Sequence, residues 1–418
     1  MSEATCRQDR NLRIALLGYR SNPYSGGQGV YLKYVSRALH AMGHEVHVIS
    51  GEPYPDLAPG VRLIKLPGLN LYATPNPLRA LRPRHLRSAT DFFEWASIAS
   101  GGFPEPYTFG RRVAKYMVEH HGEYDIIHDN QSLSYGVLRL QQLGHAVVTT
   151  IHHPITYDRD IAVAHASNWG MRLLIKRWHH FLAMQTKVAG QLKHITTVSN
   201  TSKQDICRAF NVDPARVEVV HNGVDAEVFC PRPGVQRDRY HLITTASADQ
   251  PLKGTQHLIP AFAKLREEFS DLHLTFIGQP KPGGDTEKLI KQYALNDAIE
   301  FKHGISAQEI VELYARATVA VVPSEYEGFG LPAAEAMACA VPVVSTDGGA
   351  LPEVVGDAGV IVAKGDPQAL ATGIADLLRD ADKRLALGCA GRARMQAQFN
   401  WENVAAELTD YYHRIIEQ

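Results

Sequence analysis

The sequence predicts an α/β protein with two domains, each built around a parallel sheet. The chain opens with an apolar run of strand length, "LRIALLG", followed by a glycine-rich turn, a helical stretch and a second strand-like run, "HEVHVIS". This order forms a βαβ unit, which implies a parallel sheet with helices on its faces. The same alternation starts again after residue 237, and 418 residues are too many for one ordinary core. We therefore expect two Rossmann-like domains that face each other across a cleft, with ligands at the carboxyl ends of the strands.

The elements of the first half follow from short apolar runs and one amphipathic helix. The helix after the glycine-rich turn is stopped by Gly43. Its predicted apolar stripe consists of Val30, Tyr34, Val35, Ala38, Leu39 and Met42. The further strand candidates are "VRLIKL", "DIIH", "AVVTTIH", "HITTVS" and "VEVVH".

The second half repeats the pattern after a segment rich in Pro, Gly and Asp, residues 222–237, which is typical of an interdomain hinge. Helical stretches such as "GTQHLIPAFAKLREEF" and "SAQEIVELYARA" separate its strand candidates. Those candidates are "HLITTAS", "LHLTFIG", "TVAVVPS", "VPVVST" and "GVIVA". The predicted domains are residues 1–225 and 226–399.

Composition excludes several classes of protein. Hydrophobic residues make up 45% and charged residues 21%, which is typical of a globular protein and not of a disordered one. No apolar run reaches the length of a membrane span, and the charged start of the chain is unlike a signal peptide. The five cysteines are scattered without a C-x-x-C pair, which favours free thiols and a cytoplasmic location.

Charge is unevenly distributed although the net charge is only −1. Residues 1–230 carry 25 Lys and Arg against 19 Asp and Glu, whereas residues 231–418 carry 18 against 25. The first half is therefore expected to meet something anionic. A pI of about 7.1 and the lack of a recognised module disfavour nucleic acid as a partner.

The segment "PSEYEGFGLPAAEAMACAVPVVST" places two carboxylates around a glycine turn. The turn at Gly328 and Gly330 follows a predicted strand that ends at Ser324, and Pro332 suits the first position of a helix over 332–340. The amides of Phe329, Gly330 and Leu331 would then lie at the positive end of the helix dipole.

These groups match different parts of one kind of ligand. Helix amides suit an anion such as a phosphate, whereas Glu327 and Glu335 can accept hydrogen bonds from sugar hydroxyls. A nucleoside diphosphate sugar combines these groups. For an isolated pair of glutamates, solvated surface charges would be the simpler interpretation.

In its motifs and their order the chain resembles the retaining glycosyltransferases of family 4, which have the GT-B fold. The donor-site segment above resembles theirs closely, and further similar segments span nearly the whole chain. These are "SGGQGVYLKYVSRALHAMGHEVHVIS", "TTIHHP", "TVSNTSKQDI", "VVHNGVDAEVF", "PLKG" and "FNWENVAAELTDYY". The resemblance implies that the helix within residues 400–418 crosses back to the N-terminal domain.

The resemblance also implies roles for individual residues. Glu335 would bind the ribose hydroxyls, and Glu327 with the amides of Phe329, Gly330 and Leu331 would hold the hexose. Lys253 would neutralise the diphosphate, and His152 would meet the transferred sugar, which makes His152, Glu327 and Lys253 the expected catalytic residues. The remaining donor contacts would come from Gly26, Gly27, Gly278, His303, Gly304 and Ile305.

One position departs from the family pattern. The family usually carries an arginine five residues before the lysine, and this chain has Ala248 there. Arg20 is a candidate replacement for the missing charge, although a solvated or salt-bridged arginine is the simpler interpretation.

The resemblance implies transfer of a hexose to an acceptor hydroxyl with retention of configuration and without a covalent enzyme intermediate. No metal and no cofactor are expected. Asp158 and Asp160 in "DRD" are interpreted as a solvated loop, because metal-binding acids should follow a strand near the diphosphate. A sugar-nucleotide epimerase, a phosphorylase or a non-catalytic sugar-nucleotide-binding protein remain alternatives, and among donors a UDP-sugar is favoured.

Two stretches without acidic residues, 57–90 and 161–204, point to the acceptor. The second contains "MRLLIKRWHHFLAMQTKVA", which predicts a basic amphipathic helix with a central tryptophan. Such a helix can lie on an anionic bilayer, which would suit a lipid-linked acceptor in glycan or glycolipid biosynthesis. The alternative is a helix that packs on the sheet, with its charges solvated or lining a pocket for an anionic soluble acceptor.

Overall fold

The computed structural model describes residues 10–22, 27–74, 76–164, 166, 168–246 and 249–418. The described residues fall into two compact units. The first comprises the residues up to Val198 together with Ser202–Val220 and Val404–Gln418, and the second comprises Ser199–Thr201 and His221–Asn403. Each unit contains one sheet with only parallel strand pairs, so the prediction of a two-domain Rossmann-like protein is confirmed.

The first unit contains a seven-stranded sheet with the order β3-β2-β1-β4-β5-β6-β7. All seven strand predictions for this half are confirmed. The strands are β1 Arg13–Gly18, β2 Glu45–Ser50, β3 Arg62–Lys65, β4 Ile126–Asn130, β5 Val147–Ile151, β6 Ile195–Thr197 and β7 Val217–Val219. The central strands β4 and β5 are buried along their whole length, because helices cover both faces of a parallel sheet.

Nine α-helices accompany this sheet among the described residues. They are α1 Gly27–Ala41, α2 Ala89–Ala99, α3 Glu105–Glu119, α4 Tyr135–Gln142, α5 Thr156–Ala164, α6 Trp169–Trp178, α7 Leu182–Ala189, α8 Asn200–Phe210 and, far along the chain, α16 Trp401–Ile416. The predicted stripe of α1 is partly wrong, since Tyr31 and Leu32 are buried whereas Met42 is 44% exposed. The helix begins three residues before Val30, and Met42 lies just beyond its last residue, Ala41.

The basic stretch after residue 168 is not one continuous amphipathic helix. A 3-10 turn, His179–Phe181, separates α6 from α7. Helix α7 buries Leu182 and Val188 in the core, whereas no residue of α6 is buried. The alternative interpretation, a helix that packs on the sheet, therefore holds for α7 and fails for α6. Within the described part of the chain, no helix combines the length and the apolar character needed to cross a membrane.

The second unit contains a six-stranded sheet with the order β10-β9-β8-β11-β12-β13. Its strands are β8 His241–Thr245, β9 His273–Ile277, β10 Ile299–Lys302, β11 Val319–Val322, β12 Val343–Thr346 and β13 Val360–Val362. Five of them match predicted strands, and β10 was not predicted. The strand β11 ends two residues before Ser324, where the sequence had suggested its end.

Helices of the second unit pack on both faces of this sheet. They are α9 Thr255–Glu268, α10 Asp285–Gln292, α11 Ala307–Arg316, α12 Leu331–Ala338, α13 Leu351–Val355, α14 Pro367–Arg379 and α15 Ala381–Gln398. The helix predicted over 332–340 is α12 and ends two residues earlier than expected. One core cluster joins α9, α14 and the strands between them through Phe262, Leu274, Val321 and Ile374.

The C-terminal helix is held in the first unit by buried polar contacts. Nε2 of His44 lies 2.9 Å from Oγ1 of Thr409, and Nδ1 of His128 lies 2.5 Å from the hydroxyl of Tyr412. Tyr412 is fully buried, so these hydrogen bonds join α16 to the turn before β2 and to β4 away from water.

Candidate functional site

Lys253 and Glu327 form an ion pair in the second unit. Lys253 lies in a 3-10 turn beyond β8, and Glu327 lies in the loop after β11. These two strands are neighbours in the sheet, so their carboxyl ends bring the side chains together. Nζ of Lys253 is 2.8 Å from Oε1 of Glu327, and the hydroxyl of Ser324 donates to the same oxygen at 2.8 Å. Two predicted catalytic residues thus meet at the edge where ligands bind in such sheets.

The backbone around this pair is fixed by neighbouring loops. The amide of Glu325 donates to Leu252 at 2.8 Å, and the amide of Ala350 donates to Glu327 at 2.9 Å. Gly254 has a φ of 66°, and a Cβ there would lie 1.8 Å from the carbonyl oxygen of Pro323. A side chain at position 254 would therefore push the Lys253 turn away from the Glu327 loop.

Helix α12 begins at Leu331 immediately beyond this loop. Its N-cap is Gly330, whose φ of 100° is a conformation that other residues rarely adopt. Within the described chain, the amides of Phe329, Gly330 and Leu331 have no hydrogen-bond partner. Three free amides at the start of a helix can bind an anion. The hydrogen-bonding amides that the sequence predicted are therefore present at the start of α12.

Glu335 lies one turn into α12 and is partly buried. Burial raises the pKa of its carboxyl to about 8. The phenol of Tyr314 is close enough for Glu335 to add to the effect of burial and raise the pKa of that phenol. Because the carboxyl group has no hydrogen-bond partner among the described residues, it can accept hydrogen bonds from the hydroxyls of a ligand.

The other predicted donor contacts lie at the same edge of this sheet. Gly278 follows β9, and its amide donates to the carbonyl oxygen of Lys302 at 2.8 Å. His303, Gly304 and Ile305 form the loop between β10 and α11, where His303 and Gly304 are exposed. Ala248, the departure from the family pattern, lies outside the described residues.

We expect Lys253→Ala to weaken the binding of a nucleoside diphosphate by about 10- to 150-fold, because a charge-assisted hydrogen bond contributes about 1.5–3 kcal/mol. The bare nucleoside should lose much less affinity. Calorimetric titration with both ligands measures the difference. Lys264→Ala is the matched control, since it removes an exposed lysine of α9 outside the site. Equal losses for the two ligands would separate Lys253 from the phosphate.

In the first unit, His152 follows β5 and is held by two residues that sequence reasoning missed. Its Nε2 lies 2.7 Å from Oδ1 of Asn130, and its backbone amide donates to Oε1 of Gln131 at 2.8 Å. The amide nitrogen of Asn130 donates to the carbonyl of Gln28, so Oδ1 faces the imidazole and Nε2 carries the hydrogen. Nδ1 is then the acceptor nitrogen. A signal existed in the sequence, since Asn130 ends a buried strand in "DIIHDN".

The imidazole of His152 is a poor base. Burial, with help from the imidazoles of His153 and His128, lowers its pKa to about 3. The ring is neutral at pH 7, and it packs edge to face against Tyr31 at 4.8 Å between ring centroids. Such a ring is suited to hydrogen bonding more than to proton abstraction. Gly27, the other predicted contact in this unit, is the first residue of α1, and Gly26 lies outside the described residues.

Arg20 is salt-bridged, which was the simpler of the two interpretations. Its guanidinium donates to both carboxylate oxygens of Glu105, at 3.0 and 3.1 Å. Glu105 is buried, and burial raises its pKa to about 7 against the effect of Arg20. The positive charge of Arg20 is therefore already engaged by an acid of its own unit.

The "DRD" acids lie on a helix, so the prediction of a loop is wrong. Both are in the first two turns of α5. Asp158 pairs with His153 at 2.9 Å, and Asp160 pairs with Arg159 at 2.8 Å. The short polar segment after "HHP" continues into apolar residues, and the helix includes both parts although none of its residues is buried.

A third missed residue, Glu353, joins two segments of the second unit. It accepts hydrogen bonds from the amide and side chain of Asn200 and from His221 at 2.7 Å. Burial would raise its pKa, but the hydrogen bonds from His221 and Asn200 outweigh burial and lower it. Next to it, the hydroxyl of Ser199 donates to the carbonyl of Gly328 at 2.8 Å. Ser199 is thereby tied to the glycine turn of the donor-site loop.

Known proteins share this combination of fold and residues. Residues 25–228 match the family described as Glycosyltransferase Family 4, and residues 232–394 match the one described as Glycosyl transferases group 1. The chain is 44% identical over 409 residues to an MMP α-(1→4)-mannosyltransferase of Mycolicibacterium hassiacum, covering 97% of this chain and 98% of the relative. The chain belongs to glycosyltransferase family 4. It is a glycosyltransferase, as its motifs predicted.

This family 4 glycosyltransferase has more distant relatives and solved structural neighbours. It is 29% identical to D-inositol 3-phosphate glycosyltransferase 2 of Catenulispora acidiphila, over 97% of this chain and 95% of the relative. Sucrose-phosphate synthase of Thermosynechococcus elongatus superimposes with a TM-score of 0.73 at 24% identity, over 97% and 99% of the chains. Anabaena HepE in complex with UDP-glucose gives 0.69 at 16% identity, over 96% and 99%. These structures confirm the GT-B fold.

Proposed function

We propose that this protein is a retaining hexosyltransferase that moves a sugar from a nucleoside diphosphate to an acceptor hydroxyl. The observation that carries the proposal is the arrangement of Lys253, Glu327 and the free amides of α12 at one edge of the second sheet. A cation, helix amides and carboxylates together suit a diphosphate flanked by hydroxyls. In this assignment residues 226–399 hold the donor, and residues 1–225 hold the acceptor.

The proposed reaction needs no enzyme nucleophile. The acceptor oxygen forms a bond to the anomeric carbon on the face from which the diphosphate leaves, while the bond from that carbon to the phosphate oxygen breaks. The leaving diphosphate takes the acceptor proton. Lys253 and the α12 amides stabilise the charge that develops on the diphosphate, and Glu327 orients the hexose. His152 is neutral and donates its Nε2 hydrogen to Asn130, so its Nδ1 accepts a hydrogen bond from a sugar hydroxyl.

We propose a mannosyl residue as the transferred sugar. The support is the 44% identity to a protein described as an α-(1→4)-mannosyltransferase, over nearly the whole of both chains. The experiment described below also identifies the base of the donor. The sequence favours a UDP-sugar. Main-chain groups at Gly278 and in the loop 303–305 provide the contacts for the base. Because the backbone makes these contacts, the side chains do not reveal which base the site prefers.

The experiment that tests the function combines binding and turnover. Mannose and glucose donors with uracil, guanine and adenine bases are screened by thermal shift, since a ligand at 100 times its Kd stabilises a protein by about 2.7 kcal/mol. Nucleotide release is then measured with soluble and lipid-linked mannosides as acceptors, with and without EDTA. We expect acceptor-dependent release that survives EDTA. Isomerisation of the donor alone would favour an epimerase, and binding without release would favour a non-catalytic protein.

We further propose that this enzyme is cytoplasmic and docks on an anionic membrane surface through α2 and α6 to reach a lipid-linked acceptor. Trp169 and Leu173 of α6 are 77% and 57% exposed, and Phe92 and Phe93 of α2 are each 45% exposed. Arg177 joins the two helices by donating to Ser100 at 2.7 Å. Exposed aromatic side chains with basic side chains nearby favour the boundary of an anionic bilayer.

We expect the protein to sediment with liposomes that contain anionic lipid and to release from them at high salt, because the Debye length falls to about 3 Å at 1 M salt. Replacing Trp169 and Leu173 together by Ser should abolish binding. Leu385→Ser is the matched control, since Leu385 is 70% exposed on α15 in the other unit. A protein that stays in the supernatant under all conditions would favour a soluble anionic acceptor.

A further inference from the structure

A cluster of two histidines and one aspartate lies at the amino ends of strands in the second sheet, whereas the donor site lies at the carboxyl ends. His241 is the first residue of β8, His273 is the first residue of β9, and Asp238 precedes β8 by three residues. Among the described residues these three form a group whose potential ligand atoms all lie within 4.8 Å of one another. Oδ2 of Asp238 is 3.5 Å from Nδ1 of His241 and 3.9 Å from Nε2 of His273.

The most telling feature is an unpartnered nitrogen on a buried ring. His241 is only 3% exposed, and its Nδ1 has no hydrogen-bond partner. An unsatisfied buried nitrogen is costly and therefore calls for an explanation. Its other nitrogen, Nε2, lies 2.8 Å from the hydroxyl of Thr275. Metal-ligating histidines usually make such an outer hydrogen bond, which orients the ring and leaves the opposite nitrogen for the metal.

We propose that Asp238, His241 and His273 bind one divalent transition-metal ion of the zinc class. Two imidazole nitrogens and one carboxylate oxygen are a ligand set that zinc accepts, with water in the fourth position.

The cluster is slightly more open than a bound site. Ligand atoms of a tetrahedral zinc site lie about 3.4 Å apart, as bonds of about 2.0–2.1 Å require. The two imidazole rings are stacked 14° from parallel with centroids 4.4 Å apart, so one ring must turn to place the ion in both planes. His273 is the ring that can turn, because its side chain is 47% exposed, whereas His241 is packed.

The backbone beneath the ligands is rigid. The amide of Asp238 donates to Arg316 at 2.9 Å, and Thr318 hydrogen-bonds both Asp238 and the amide of His241. The ion would therefore join the starts of β8 and β9. Its position at the amino ends of the strands assigns it a structural role, separate from sugar transfer.

The test is a calorimetric titration of the chelator-treated, full-length protein with Zn²⁺, together with visible spectra of the Co²⁺-loaded protein. We expect one ion per chain and the intense absorption of four-coordinate Co²⁺. His273→Ala, at a half-exposed position, should weaken Zn²⁺ binding by more than about 100-fold, and Thr275→Val by about 10- to 100-fold. The matched control, His121→Ala, removes an exposed histidine of the first unit and should bind like wild type.

Two results would overturn the proposal. One is a wild-type protein that binds no Zn²⁺. The other is equal affinity in wild type and His273→Ala, which would show that the ion binds adventitiously to other histidines.

Discussion

Glu327→Gln is expected to lower kcat by about 100-fold while Kd for the nucleoside diphosphate changes little. The carboxylate of Glu327 accepts from Lys253 and from Ser324, both at 2.8 Å, and the glutamine retains the size of the side chain but loses its charge. The hexose then loses a charged acceptor for its hydroxyls, and a misplaced sugar can cost about 100-fold in rate. Single-turnover rates at saturating donor, with Kd from calorimetry, measure the two effects separately.

The ion pair supplies a sharper form of this test. The double variant Lys253→Ala with Glu327→Gln tests whether the two residues act as one unit. If they do, its loss of turnover should be smaller than the losses of the two single variants combined, because the first change already breaks the pair. Glu267→Gln, an exposed glutamate on α9, controls for the loss of a negative charge in the same unit. Wild-type turnover in Glu327→Gln would remove this residue from the reaction.

Glu335→Ala is expected to raise Kd for the nucleoside diphosphate by about 10- to 150-fold. A ribose diol that donates to a carboxylate contributes about 1.5–3 kcal/mol. Unlike Lys253→Ala, this change should weaken the bare nucleoside as strongly as the diphosphate, because both carry the ribose. Calorimetric titration with the two ligands distinguishes these patterns, and Glu267→Ala is the control.

The pH dependence of binding gives an independent readout of Glu335. Burial raises its pKa to about 8, so without ligand the carboxyl is mostly protonated at pH 7. Hydroxyls that donate to the group favour its ionised form and lower its pKa. Binding should therefore release a proton, and wild-type affinity should rise as the pH rises from about 6 to 8. The rise should be absent in Glu335→Gln. If the affinities of wild type and Glu335→Gln depended on pH in the same way, the ribose would not bind at Glu335.

Local sequence determined most of the secondary structure. Twelve of the thirteen described strands appear in the sequence as short apolar runs. The exception, β10, has the sequence "IEFK", in which Glu300 interrupts the apolar run. The helix "MRLLIKRWHHFLAMQTKVA" could not be divided from sequence for a different reason, since a 3-10 turn leaves the apolar spacing nearly unchanged.

Motif order determined the family, and chemistry within one segment singled out Glu327, Glu335 and the amides of α12. What only the tertiary structure decided is which side chains meet. Lys253 and Glu327 are 74 residues apart and pair because β8 and β11 are neighbours in the sheet. Asn130 holds His152 because β4 lies beside β5, and His273 joins His241 because β9 lies beside β8. Periodicity along the chain reports the environment of each strand, whereas the order of the strands is set by packing between distant segments.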